Sequence, residues 1–95
     1  MKDIVAVKLS RKVLKDLKKV PRAIAIKLQA WVDAVGHSGL SVVRKTPGYH
    51  DEPLKGKRAG QRSIRLNKAY RAIYVIDKNN QLQFVEIMEV NKHEY

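Results

Sequence analysis

The chain has no cysteine, one tryptophan and one phenylalanine, and 9 acidic residues against 20 lysines and arginines. Without cysteine there is no disulfide frame, no thiolate metal site and no cysteine nucleophile. No apolar run is long enough to span a bilayer. Lys2 and Asp3 lead into no such run either, so neither a signal peptide nor a membrane partner is expected, and a cytoplasmic protein is. The shortage of acids leaves a net charge of +11. Phosphate neutralisation is the usual use of so strong a positive field, which points to nucleic acid. Solubility alone also accounts for it. A composition 44% hydrophobic is that of a folded domain rather than a basic tail. No repeat, low-complexity segment or linker interrupts residues 1–95, so one domain is expected.

Periodicity divides the chain into few elements. Asp3–Leu9 is β-branched and predicts a strand. Ser10 offers an N-cap to a helix carrying Val13, Leu14 and Leu17. Pro21 breaks that helix and suits the first position of the next. There, Ile24, Leu28, Trp31, Val32 and Val35 form one apolar stripe that ends near Gly36. So short a link favours an antiparallel helical hairpin. From His37 to Lys57 the pattern is less regular. Leu40, Val42 and Val43 fit either a helical turn or an extended piece, Pro47-Gly48 signals a turn, and Pro53 blocks regular pairing. Long connections of this kind more often carry function than not. Gln61–Asn67 alternates as a strand. Tyr70–Ile76 is apolar on both faces except at Arg71, as a central strand is. Asp77–Asn80 suits a hairpin turn, and Leu82–Val90 is a last strand. The order β-α-α-β-β-β predicts an α+β fold, with the hairpin packed on one face of a mainly antiparallel sheet.

The segment Glu52 to Asp77 holds seven Lys/Arg and no acid between its ends. Arg65 and Arg71 interrupt strand patterns, where an unpaired guanidinium is costly to desolvate. Ion pairs with Glu86 or Glu89 explain them. So does a phosphate clamp, because the planar guanidinium matches phosphate bidentately. Glu52 is either a solvated loop carboxylate or a general base beside cations. Lys55 and Lys57 are loop lysines or part of the same cationic surface. His93 and Tyr95 are either a frayed end or a titratable group and a stacking ring. His37 and His50 make no metal-ligand spacing with His93, so no metal and no cofactor is expected. Phosphate-loop, serine-triad and helix-turn-helix signatures are missing.

Together these residues are familiar. Glu52-Pro53-Leu54-Lys55-Gly56, Arg58-Ala59-Gly60, Ser63-Ile64-Arg65, Tyr70-Arg71-Ala72-Ile73-Tyr74 and His93 with Tyr95 resemble the RelE/HigB superfamily of type II toxin–antitoxin toxins. The likeness is to its YoeB-like and HigB-like branches, over roughly the last 45 residues. The resemblance implies the RelE-like fold and a ribosome-dependent mRNA interferase, an endoribonuclease that works without a metal. It implies Glu52 as general base, His93 as general acid, and Arg65, Arg71 and Lys55 around the phosphate, giving a 2′,3′-cyclic phosphate product. It further implies RNA contacts from Lys57, Arg58, Arg62, Lys68, Lys92 and Tyr95. The implied partners are mRNA, the 70S ribosome with its rRNA, and a cognate antitoxin carrying a DNA-binding domain. The sequence departs from the family where Glu94 separates His93 from Tyr95, and at Gln61-Arg62, where relatives carry aromatic residues. A ParE-like toxin, which inhibits gyrase by binding without cutting RNA, is the alternative on the same fold.

Overall fold

Ser10 joins the first strand to the first helix. Its N–H donates to the Phe84 carbonyl at 3.0 Å, and its hydroxyl accepts from Val13 N–H at 3.1 Å as the expected N-cap. In this computed structural model, which describes residues 3–90, β1 is only Val7–Leu9 and runs parallel to β5 (Leu82–Glu89). The strand is shorter than its pattern predicts because the residues before it serve another element. Ile4 C=O accepts from Leu40 N–H, and the Asp3 carboxylate accepts from the Ser41 N–H and hydroxyl. Those contacts cap α3 (Leu40–Val43), which resolves that ambiguous stretch as a helical turn burying Leu40 and Val43.

Helix α1 (Arg11–Leu17) buries Val13, whereas Leu14 turns outward and is 50% exposed. Helix α2 (Arg22–Ser38) starts after Pro21 and buries Ile24, Leu28, Trp31 and Val35. It runs past Gly36 and stops at Gly39, where φ is +86°. A Cβ at Gly39 would collide with the Asp3 carboxylate, so glycine satisfies both the backbone and the close approach.

The sheet order is β1-β5-β4-β3-β2. Strands β3 (Gln61–Arg65) and β4 (Tyr70–Ile76) form a hairpin whose turn is held by Asn67 Oδ1, accepting from Ala69 and Tyr70 N–H. Asp77 and left-handed Asn80 close the β4–β5 turn. Strand β2 is Glu52–Pro53 alone, antiparallel to β3 at the sheet edge. Proline is tolerated there because its missing N–H is not needed by a further strand. The strand goes beyond the predicted order and is short for the same reason.

One face of the sheet meets the helices. Trp31, Tyr74 and Phe84 form an aromatic cluster with centroids 5.1–5.6 Å apart, surrounded by Val13, Leu28, Ile64, Ala72 and Leu82. Between Ile73/Glu86 and Tyr74/Phe84 the register slips, leaving Val85 extra on β5. This bulge changes the alternation. Ile87 enters the core and Glu86 emerges on the far face, instead of the reverse. Beyond β1, the free edge of β5 is covered by α1, with Asp16 Oδ2 accepting from Ile87 N–H at 3.1 Å.

A second carboxylate holds the approach to β2. The Asp51 side chain is fully buried. It accepts from Arg62 Nε at 2.7 Å and from the Tyr74 hydroxyl at 2.5 Å. Burial and the adjacent carboxylate both push the Tyr74 phenol above its ordinary pKa. Burial opposes the Arg62 charge, but Asp51 more than offsets it, and the guanidinium pKa is raised. Arg62 therefore belongs to the helix side of the sheet.

Burial works to raise the Asp16 carboxyl pKa, but the Ile87 N–H and Lys12 outweigh it and hold the pKa below its ordinary value. A carboxylate with a lowered folded-state pKa stabilises above its unfolded pKa, and that contribution is lost as pH falls through the folded value. Asp16→Ala is expected to lose about 1–3 kcal/mol and to flatten the acid limb of stability against pH, read by urea denaturation across a pH series. Asp51→Ala, which leaves the half-buried Arg62 guanidinium and the buried Tyr74 hydroxyl without their partner, is expected to lose about 2–4 kcal/mol. Tyr74→Phe should lose only about 1 kcal/mol, and equal losses in the two variants would remove Asp51 as the centre of the network.

Candidate functional site

The face without helices carries both strand arginines. Ile64, Leu66, Ala72 and Tyr74 point into the core, so alternation sends Ser63 and Arg65 of β3, and Arg71 and Ile73 of β4, to the other side. Register makes Arg65 and Arg71 direct cross-strand partners. Like charges placed opposite each other destabilise a sheet, and both side chains are only partly exposed. Glu52 relieves one of them. It pairs in register with Ser63 on the neighbouring strand and reaches Arg71 Nη1 through Oε1 at 3.2 Å. Among the described residues, Arg65 makes no ion pair. Two guanidiniums and one carboxylate thus share one open surface, with less negative charge than positive.

Among the described residues, neither carboxylate expected as a structural partner pairs with a strand arginine. Glu86 takes Arg58 Nη2 at 2.6 Å and stands 3.9 Å from Lys12 Nζ. Among the described residues Glu89 makes no ion pair with either strand arginine. Arg58 lies before β3, and Glu86 is on β5, so the Arg58 side chain crosses β4 on the open face, steadied by Gln61 at 2.9 Å. Lys55 and Lys57 are exposed in the β2–β3 connection, and Lys68 is exposed in the β3–β4 turn. Arg62, grouped with the RNA contacts, is drawn instead to Asp51 and Tyr74 on the helix side. Lys92, His93 and Tyr95 lie outside the described residues.

The site thus brings together Glu52, Arg65 and Arg71, with Arg58 alongside. Pattern reading missed the residues that hold them. Asp51 gave no signal beyond being a loop acid next to Glu52. Tyr74 looked like any apolar strand residue. Ser63, buried at 1% on the open face, was visible only as part of the Ser-Ile-Arg string.

No protein-family model matches this chain, and no curated protein is similar enough in sequence to count as a relative. Solved structures do resemble it. YafQ from E. coli strain BL21(DE3) superposes with a TM-score of 0.70 at 20% identity, over 87% of this chain and 90% of that one. A YoeB/ParE toxin from Agrobacterium tumefaciens gives 0.65 at 17% identity, over 90% and 99%. A heterotetrameric YoeB-YefM toxin-antitoxin complex from Staphylococcus aureus gives 0.64 at 17%, over 90% and 94%. At such identities the likeness is one of fold, and the fold of this chain is that of the YafQ- and YoeB-type toxins of toxin–antitoxin systems.

Proposed function

We propose that the chain is a ribosome-dependent mRNA interferase, the toxin of a toxin–antitoxin pair. The observation that supports it best is the cross-strand opposition of Arg65 and Arg71, with Glu52 3.2 Å from Arg71. An anion between the two guanidiniums would relieve their repulsion. A phosphodiester is an anion that fits them in the planar, two-point manner guanidinium favours.

In the proposed reaction the scissile phosphate takes Arg71 from Glu52. The freed carboxylate accepts the proton of the adjacent ribose 2′-hydroxyl. That oxygen attacks phosphorus in line with the departing 5′-oxygen. Arg65, Arg71 and Lys55 stabilise the charge growing on the non-bridging oxygens. His93 returns a proton to the 5′-oxygen. The bond to it breaks, leaving a 2′,3′-cyclic phosphate and a 5′-hydroxyl end. The exposed lysines dock on rRNA, a contact that weakens steeply with salt. A cognate antitoxin, by likeness to the S. aureus YoeB-YefM complex, covers the cationic face, and a DNA-binding domain on it is part of the reading.

Brief expression of the wild type should arrest growth, and primer extension should find new 5′ ends in mRNA. Arg71→Ala should lower cleavage on isolated ribosomes by roughly 10²–10³-fold while leaving the fold intact. Glu52→Gln should lose on the order of 10²–10⁴-fold. His93→Ala should lose less than either. Growth arrest with gyrase-dependent DNA breaks and no new mRNA ends would replace this function with the ParE-like one.

A further inference from the structure

Beside the Glu52–Arg71 pair the open face holds a cavity of about 260 Å³, lined by Leu54, Ile73 and Met88 together with Arg58, Arg71 and Ser63. Two of its features are unexplained by packing. Ser63 is 1% exposed, and its hydroxyl has no hydrogen-bond partner among the described residues. Buried polar groups are normally paired, and an orphan destabilises the fold. Met88, cross-strand from Arg71, is 37% exposed. Leu54 and Met88 form apolar walls next to the Arg58 and Arg71 side chains, with Glu89 also on the rim and a partnerless hydroxyl in the lining.

We infer that this cavity is a nucleobase subsite. One base of the RNA inserts with its ring against Ile73 and Met88 and its polar edge on the Ser63 hydroxyl, while its phosphate lies against Arg71. The assignment rests on the cutting function proposed above and supplies the base contact that function lacks. The size suits a single ring system, since clefts for drug-sized ligands run roughly 300–1,000 Å³. Bases of single-stranded RNA are held by a flat apolar contact plus hydrogen bonds to their edges. An apolar side chain from a protein partner would fill the walls but leave Ser63 unpaired. A base edge satisfies it. A hydroxyl both donates and accepts, so Ser63 alone tolerates more than one base.

The test is methyl NMR of the intact chain with the four nucleoside 3′-monophosphates, against inorganic phosphate. Nucleotides are expected to shift the Ile73 and Met88 methyls; phosphate should leave these methyls in place and perturb only the Arg65 and Arg71 guanidiniums. Ser63→Ala, with an unchanged spectrum away from the cavity, should weaken nucleotide binding roughly three- to tenfold and phosphate binding not at all. Methyls unmoved by all four nucleotides, or equal nucleotide affinity in Ser63→Ala, overturn the subsite. So do methyls that respond only to the antitoxin, which would assign the cavity to a protein side chain. Ribosomal cleavage measured in parallel separates the two proposals. Cutting without methyl shifts removes the subsite alone, and methyl shifts without cutting keep the base site while removing the nuclease.

Discussion

Arg65 and Arg71 face each other across β3 and β4 because both strands have committed their alternate residues to the core. Ile64 and Leu66 on one strand, and Ala72 and Tyr74 on the other, are buried under the helices. Moving either arginine off the open face requires a register slip by one residue, which would expel those apolar groups as well. The repulsion between the guanidiniums is therefore imposed by a larger apolar gain, about 1.5–3 kcal/mol for each fully buried side chain. Local conflict inside an otherwise consistent sheet is expected where a site needs it. Here the conflict leaves two cations held at fixed spacing, with Glu52 satisfying only one.

Much of the surrounding fold was legible in the sequence because its signals are local. Strand Tyr70–Ile76, the Ser10 cap and the stripe on α2 follow from spacing within a few residues. What was not legible depends on contacts across the chain. Gly36 and Gly39 both sit in range to end α2, and the choice falls to Gly39 because Asp3, far away in sequence, packs against it. Glu86 looked like a partner for the strand arginines. The bulge at Val85 does send it to their face, where Arg58 takes it first. The spacing Leu82, Phe84, Ile87 carries that bulge in plain sight, since two apolar residues two apart are followed by one three further on. Arg62 failed as a surface cation for a similar reason. Its strand position alternates toward the helices, and Asp51 was waiting there.

The few acids of this chain explain its field. Asp3 caps α3, Asp16 covers the edge of β5, Asp51 ties β2 to the sheet, and Asp77 closes a turn. Each is occupied chiefly with backbone groups or buried partners, so few remain to neutralise the surface lysines. The positive charge is consequently a surface property, carried by exposed lysines and arginines of the helices as well as by those around the open face. Such a field draws polyanions from a distance, but it is shared by any nucleic-acid binder and says nothing of chemistry.

In the reaction we propose, Glu52 is what separates cutting from holding. For a protein that only grips phosphate, a carboxylate 3.2 Å from the clamp is a defect, because it competes with the ligand for the same guanidinium. Burial does not require it there, since its side chain is 56% exposed, and an exposed ion pair adds only about 0–1 kcal/mol to stability. The reaction we propose begins by removing a hydroxyl proton next to the bound phosphate and needs a base within reach of it, and pairing with Arg71 at 3.2 Å holds the Glu52 carboxylate in that position. The Asp51 network gives the placement its precision. By fixing the residue before Glu52 to the centre of the sheet, it sets where the carboxylate emerges relative to Arg71, a constraint that a loop acid in solvent would not require.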